Sequence, residues 1–371
     1  MIRIAIDLLW VKHKKVGGIE SYVRNLLDGF MDLSDDFFFI LLVSRDNHES
    51  FLEYSRDKRI KLVECPVIST NLLPTVIWEN LKLDKLVTSL SVDFCFVPYY
   101  RCPILPVKNR YLIVLHDLNA LHFPECFSRG KYYWLKYYWK YSLRIAYKIV
   151  TISNFVREDV IDKYGIDSKK MEVIYNPISR NLPVADFELL GKRYGIESGN
   201  YLYTVSSQHR HKNLLTLLKM MLVLRDKMNN PPKLIISGIS AGGTGELPEY
   251  IYRNGLEDLC VFTGFISDEE RNTLMKHCRL FLFPSVFEGF GMPPIEAKRL
   301  GAKVITTKCA SIPEVTMNKL TYVNDPYNAE EWAQMVMSSA SLEQKDENYQ
   351  RYDITIVASN YYSLFQKIIN S

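Results

Sequence analysis

The sequence predicts an α/β fold of two doubly wound, Rossmann-like domains in tandem, and three observations carry that prediction. Short β-branched and aromatic runs alternate with helical segments along the chain, the pattern of parallel sheets covered by helices on both faces. The alternation is interrupted near residues 177–186, where Asn176-Pro177, Arg180, Asn181 and Pro183 break the strand pattern. At 371 residues the chain is too long for one ordinary core and fits two domains of common size. The expected domains are residues 1–180 and 181–353.

In the first domain, strands are expected over residues 3–9, 37–44, 61–67, 94–100, 111–116, 149–152 and 172–175. The opening run, Met1 to Asp7, alternates like a first strand and leads into Val16-Gly17-Gly18-Ile19-Glu20, where the paired glycines let the backbone approach a ligand closely. The strand over 111–116 ends on His116-Asp117. Two readings of that pair stand. Ligands bind at the carboxyl ends of strands in doubly wound domains, yet a strand-end histidine also serves packing, and Asp117 can cap the next turn. Residues 129–148 hold six cations, eight aromatics and no acid, with Lys136, Lys140, Arg144 and Lys148 four residues apart. On a helix this is a basic stripe beside tyrosine and tryptophan. It suits an anionic membrane surface, and equally a helix docked by its aromatic face with a solvated basic edge.

The second series of strands is expected over residues 201–205, 233–237, 261–263, 280–283, 304–306 and 321–323. After the first of these comes His209-Arg210-His211-Lys212-Asn213, followed by the helical apolar spacing of Leu214, Leu217, Leu218 and Met221. The lysine is either part of a solvated helix start or a cation for a phosphate. Residues 240–245 are expected to form a glycine-rich surface loop, a stretch that falls almost wholly outside the residues described below. The most informative segment is Pro284-Ser285-Val286-Phe287-Glu288-Gly289-Phe290-Gly291-Met292-Pro293-Pro294-Ile295-Glu296. It lies between a short apolar strand and the helical spacing of Ile295, Ala297 and Leu300, which stops at Gly301. The paired prolines suit a first helical turn, and its free N–H groups and positive dipole end suit a phosphate. Glu288 precedes the helix and can reach outward; Glu296, within its first turns, can accept hydrogen bonds from a hydroxyl pair. A last helix, 354–371, carries a stripe of Ala358, Tyr361, Tyr362, Phe365, Ile368 and Ile369 that fits either domain.

Composition excludes several classes. Apolar content of 47% and charged content of 24% are globular values. A net charge of +4 is small for this length and gives no reason to expect nucleic acid. Seven cysteines without a Cys-x-x-Cys pair argue against a disulfide framework and for a reducing compartment. The first residues lack the pattern of an export signal, and the longest apolar stretches are far shorter than a bilayer span, so a cytoplasmic protein is expected. No His/Cys cluster has zinc spacing, no Asp-x-Asp diphosphate–metal motif occurs, and no Walker lysine follows the glycines. No metal and no cofactor are expected.

The segment from Pro284 to Glu296 resembles the Glu-x7-Glu signature of retaining glycosyltransferases of family 4, which have the GT-B fold, and in particular bacterial mannosyltransferases of surface polysaccharide synthesis. The glycine loop at Gly17-Gly18, His116, Thr151-Ile152-Ser153-Asn154-Phe155, the basic loop and Val261-Phe262-Thr263-Gly264-Phe265 are similar to family segments in the same order. Two departures stand out: Ser206-Ser207 where the family has a glycine, and Tyr175-Asn176-Pro177 in place of Pro-Asn-Gly. The resemblance implies a nucleotide-sugar donor, held by Gly17, Gly18, Arg210, Lys212, Phe265, Gly289, Phe290, Gly291, Met292 and Glu296. His116, Glu288 and Lys212 would act at the reacting centre. A second phosphate-binding cation would be Arg210 or His211. It implies a metal-independent, front-face transfer in which Glu288 holds the sugar, Glu296 the ribose and the backbone at Phe265 the base. The acceptor would be a saccharide, lipid-linked at the inner face of a bacterial envelope. GDP-mannose is the favoured donor among several nucleotide sugars. The last helix would cross back to the first domain. Rival readings are a nucleotide-sugar epimerase of the same fold and a non-catalytic sugar-binding protein.

Overall fold

The computed structural model describes residues 2–12, 18–33, 36–207, 209–238, 245–341, 347 and 349–371. The chain divides into an N-terminal unit, Met1–Ile178 with Arg351–Ser371, and a C-terminal unit, Ser179–Gln350.

The N-terminal unit holds a sheet of seven parallel strands: β1 (Ile2–Asp7), β2 (Phe37–Ser44), β3 (Ile60–Cys65), β4 (Phe94–Val97), β5 (Tyr111–Leu115), β6 (Lys148–Thr151) and β7 (Met171–Val173). Their order is β3-β2-β1-β4-β5-β6-β7, so the direction of winding reverses between β1 and β4. β2 is an apolar run, FFFILLVS, buried along nearly its whole length, as a strand with helices on both faces must be. Every strand of this sheet but β2 ends one to three residues before the expected residue. The expected strand over 94–100 ends at Val97 because Pro98 has no N–H to give the ladder. The one over 61–67 ends at Cys65.

The first helix, Gly18–Met31, buries Tyr22, Val23, Leu26, Leu27 and Phe30 on one stripe. The last helix, Ile354–Asn370, packs against it in this unit and settles the choice the stripe left open. The approach is closest at Gly29, where a Cβ would stand 2.7 Å from the Ile354 carbonyl oxygen and 2.8 Å from Ala358 Cβ. Tyr22 and Tyr361 join their hydroxyls across the seam, and Phe365 packs among Phe30, Phe94 and Phe96.

The C-terminal unit holds six parallel strands: β8 (Tyr201–Val205), β9 (Lys233–Ser237), β10 (Cys260–Gly264), β11 (Leu280–Phe283), β12 (Val304–Thr307) and β13 (Thr321–Val323). The order β10-β9-β8-β11-β12-β13 reverses between β8 and β11. One face is covered by Leu214–Lys227 and Ala329–Met337, whose Leu217, Leu218, Met221 and Trp332 are fully buried. The other face takes Leu274, Met275, Ala297 and Ile312. In open α/β sheets the crevice for a ligand opens at the carboxyl ends of the two strands flanking such a reversal.

Candidate functional site

At the reversal in the C-terminal unit, the loop after β8 meets the loop after β11. The basic stretch turns through a short 3-10 helix, Arg210–Lys212, and Asn213 takes a left-handed φ of 55°. Asn213 can hold that conformation because its side-chain amide donates to the carbonyls of Pro284 (3.3 Å) and Pro326 (2.8 Å) while its carbonyl accepts from Thr216 Oγ1 (2.7 Å). The Val286 N–H donates to the His211 carbonyl at 2.9 Å, tying the two loops together. Lys212 Nζ is thereby carried to 2.7 Å from Glu288 Oε1, with the side chains 21% and 13% exposed.

The loop bearing Glu288 is braced from beneath. Thr307 Oγ1 donates to the Ser285 carbonyl, and Ser311 Oγ bridges the carbonyls of Glu288 (2.9 Å) and Phe290 (3.1 Å). With those carbonyls satisfied by side chains, the irregular backbone bears burial. Phe290 anchors the loop in the core, Gly289 is buried beside it, and Gly291 turns the chain with a φ of 83° that only glycine adopts freely. Helix Met292–Arg299 starts there, with prolines in its first turn. Met292 is half-buried at its head. Burial raises the pKa of Glu296, on this helix, from its ordinary value; Arg271 Nη2, 3.8 Å away, opposes the shift.

The two candidates for the second cation differ sharply. Burial, with Lys212 and His209 nearby, pushes His211 down to about 3, so its imidazole is neutral at pH 7. Arg210 is exposed and lines a concavity of about 450 Å³ with Asn213, Lys219 and Tyr327. Phe265 follows β10 and is 85% exposed. Ser206 and Ser207 follow β8, and the backbone of Ser206 is approached closely from the neighbouring strand. Gly238, with a φ of 89°, sits where a Cβ would come within 2.5 Å of the Ser206 carbonyl. A wider hollow of about 850 Å³, lined in part by Asn200, Pro231, Pro232 and Lys233, lies at the amino ends of β8 and β9, the wrong end of the sheet for this chemistry.

His116 and Gly18 belong to the N-terminal unit. Gly17 lies outside the described residues; Gly18 opens the first helix. His116 follows β5, edge-on to Tyr22, with Nε2 3.1 Å from the Pro98 carbonyl. A carbonyl only accepts, so this bond selects the Nε2–H tautomer and leaves Nδ1 an acceptor. Burial lowers the imidazole to about 4. Asp117 Oδ1 accepts from the Asn119 N–H at 3.0 Å, which is the capping role.

The basic stripe is a helix over Arg129–Ile145. Lys148 is not part of it: the chain turns at Ala146, Lys148 begins β6, and its Nζ donates to the Lys169 carbonyl. Lys136 and Lys140 are half-buried and Arg144 exposed, while Leu135, Tyr138, Trp139 and Leu143 form the docked face. Among the described residues no helix is long and apolar enough to cross a membrane.

Three residues around the site escaped the sequence reading. Arg271 is carried to Glu296 by the helix Asp268–His277, with no motif of its own. Ser311 acts on a loop more than twenty residues earlier. Gly238 was the most findable, as a glycine directly after a strand.

Comparison with known proteins agrees along the chain. Residues 16–182 match Glycosyltransferase Family 4 and residues 186–356 match Glycosyl transferases group 1. The chain is 26% identical over 248 residues to the O-antigen chain mannosyltransferase RfbU of Salmonella typhimurium, covering 67% of this chain and 66% of that one. It is also 26% identical over 212 residues to O-antigen chain mannosyltransferase B of Escherichia coli, covering 56% and 55%. It thus spans between about half and two thirds of the length of these relatives. A longer match, 26% over 309 residues and 78% and 77% of the two chains, is to an N-acetylgalactosaminyltransferase of Campylobacter jejuni named for a diphospho-undecaprenol-linked acceptor. The solved structure of Anabaena HepE with UDP and glucose superposes with a TM-score of 0.73 at 18% identity, over 99% of this chain and 100% of that one. The chain belongs to the family 4, group 1 glycosyltransferases and has their GT-B fold.

Proposed function

We propose that this chain transfers a hexose from a nucleotide-diphosphate sugar, with GDP-mannose the favoured donor, to a lipid-linked saccharide in bacterial surface polysaccharide synthesis. Transfer retains the anomeric configuration and uses no metal ion. The observation that carries the reading is the Lys212–Glu288 pair, held at 2.7 Å beside the strand reversal and still open to solvent. A lysine in that position offers a point charge to the departing phosphate, and the head of helix Met292–Arg299 adds its dipole. A preorganised charge of this kind is worth on the order of 10²–10³ in rate. It takes the place that a metal held by an Asp-x-Asp motif would otherwise fill.

Glu288, freed from Lys212 when the diphosphate arrives, holds donor-sugar hydroxyls and stabilises the positive charge that develops on the sugar. The leaving phosphate oxygen takes the proton of the acceptor hydroxyl on the same face. Glu296 is largely buried and among the described residues has only a long contact to Arg271, so a ribose diol can supply hydrogen bonds to it. Neutral His116 offers Nδ1 to a sugar hydroxyl and is not a proton donor to the leaving group. Arg210 is the second phosphate cation, since His211 is uncharged. The mannose preference rests on the names of the two O-antigen relatives, and the lipid-linked acceptor on that of the Campylobacter one.

The protein works in the cytoplasm, at the inner face of the membrane, with helix Arg129–Ile145 against the lipid. Tyr133, Tyr137 and Tyr141 on that helix are each about half exposed. A thermal-shift panel of nucleotide sugars tests the donor. The right one, at a hundred times its dissociation constant, stabilises by about 2.7 kcal/mol, and chelator leaves the shift unchanged. No shift with any nucleotide sugar, or one that requires magnesium, contradicts the reading.

A further inference from the structure

The helix Arg129–Ile145 does more than present a stripe. Its Lys136, Tyr137, Lys140 and Arg144 join Lys163 and Tyr164, from the helix Asn154–Tyr164, around a concavity of about 250 Å³. The two helices are fixed at that point, since Tyr164 Oη donates to the Lys136 carbonyl at 3.0 Å. Four cations therefore converge on a hollow with no carboxylate in its lining. Lys163 pairs with Asp162, an exposed neighbour outside the lining. Among the described residues Lys136, Lys140 and Arg144 form no ion pair, and Lys136 rests over the Tyr132 ring. Converging positive charges, three of the four without an ion-pair partner among the described residues, raise the potential in a concavity, and such a site is stabilised by an anion with several acceptor oxygens.

Size narrows the class. The hollow is smaller than the about 300–1,000 Å³ of sites that take drug-sized ligands, so it suits a phosphate and the first atoms of its ester better than a nucleotide sugar. The surroundings say where that phosphate comes from. Tyr133 and Tyr141 stand half exposed on the same helix. The helix Leu72–Trp78 and its continuation Glu79–Leu83 expose Leu73, Ile77 and Leu81 at four-residue spacing. The two are adjoining elements, because Asn80 Nδ2 donates to Tyr138 Oη at 3.3 Å. Tyrosines exposed on the helix that lines the cationic hollow, with exposed aliphatic side chains on an adjoining helix, match a headgroup whose acyl chains continue into lipid.

We propose that this hollow is a phosphate-specific headgroup site that seats the phosphate of an anionic phospholipid between Lys140, Arg144 and Lys163. The proposal rests on the membrane-facing reading of this helix and deepens it: attachment is stoichiometric recognition of one phosphate, not diffuse attraction to charge. The favoured lipid carries a terminal phosphomonoester, because its charge of about −1.5 to −2 and three free oxygens match the converging cations.

Vesicle flotation at fixed ionic strength tests it with the full-length chain. Vesicles of zwitterionic lipid carry either phosphatidic acid or an anionic sulfolipid without phosphate, at matched surface charge. The unaltered chain should bind the phosphatidic acid vesicles at least ten-fold more tightly, and glycerol phosphate should compete. Lys140→Gln with Arg144→Gln should abolish that preference, whereas Lys82→Gln with Lys131→Gln, an equal loss of charge outside the hollow, should change binding less than three-fold. Equal binding to the two vesicle types, or equal losses from the two double variants, overturns the phosphate site and leaves the membrane reading standing. No flotation of the unaltered chain at low salt overturns both.

Discussion

Each unit places a glutamate–cation pair beside the point where its strand order reverses, and the two pairs share a separation of 2.7 Å in opposite surroundings. In the N-terminal unit Arg101, just after β4, meets Glu79 with side chains only 3% and 1% exposed. Asp7, the last residue of β1, is buried beside them, and Trp10 stacks on Tyr99 over the same strand ends at 4.5 Å. Among the described residues Asp7 Oδ2, Glu79 Oε2 and Arg101 Nε have no hydrogen-bond partner. Burial pushes Asp7 up to about 6 and raises Glu79 from its ordinary value, with the Arg101 guanidinium opposing the shift. In the C-terminal unit Lys212 and Glu288 keep contact with solvent, and the carbonyls of Ser285, Glu288 and Phe290 are braced from below by Thr307 and Ser311. The comparison teaches that a charge pair at a ligand-binding strand end is no sign of a ligand site until its access is known. The sealed pair holds a loop in place, and the open one can exchange its partner for a substrate.

The largest expected effect comes from breaking the sealed pair. Arg101→Met strands Glu79 beside Asp7 in the interior and should cost about 3–5 kcal/mol in chemical denaturation. Replacing both partners, Arg101→Met with Glu79→Leu, should recover much of it. Lys212→Ala, by contrast, should cost at most about 1 kcal/mol, since a solvent-screened pair is worth little. A loss below 1 kcal/mol for Arg101→Met erases the distinction.

Next come the catalytic losses at the open pair. Lys212→Ala should lower turnover by about 10²–10³-fold and also weaken nucleotide binding. Glu288→Gln should lower turnover while leaving the affinity for the bare nucleoside diphosphate near normal. Equal, mild losses for both would show the site to be elsewhere. A smaller effect, about ten-fold, is expected for Glu296→Ala in nucleoside diphosphate affinity by calorimetry, a loss of hydrogen bonds worth about 1–2 kcal/mol. An unchanged dissociation constant would remove the ribose role.

The smallest effect is a pH slope. His116 has a folded pKa of about 4 against an ordinary 6.5, so between those values the unfolded chain binds more protons. Its contribution is present above pH 6.5 and is lost as pH falls towards 4. The excess stability of wild type over His116→Gln should therefore grow by about 1 kcal/mol from pH 4 to 6.5, a figure reduced for the partly exposed ring. A gap that shrinks over this range would show that the imidazole is charged in the fold.

Much of this was legible in the chain because parallel strands buried on both faces announce themselves. The runs at 37–44 and 280–283 could hardly be anything else, and the string around Glu288 carries its glycines and prolines where the backbone needs them. The rest depends on contacts remote in sequence. Nothing local tells that Glu79 meets Arg101, that Ser311 holds the loop of Glu288, or that Arg271 nears Glu296. The proposal of Arg210 over His211 rests on burial, which neighbouring residues of the same loop do not reveal. Lys148 was misassigned because the four-residue spacing of cations continues across the end of its helix into β6.

The Lys212–Glu288 pair is proposed to serve a metal-independent transfer with retention. The most direct measurement is NMR of the glycosidic product formed from GDP-mannose by the purified protein in the presence of chelator, with Glu288→Gln as the comparison. The account predicts a product of the same anomeric configuration as the donor, at a rate chelator does not change, and on the order of 10²-fold slower formation by the variant. An inverted anomer, a reaction abolished by chelator, or a variant as fast as wild type would contradict it.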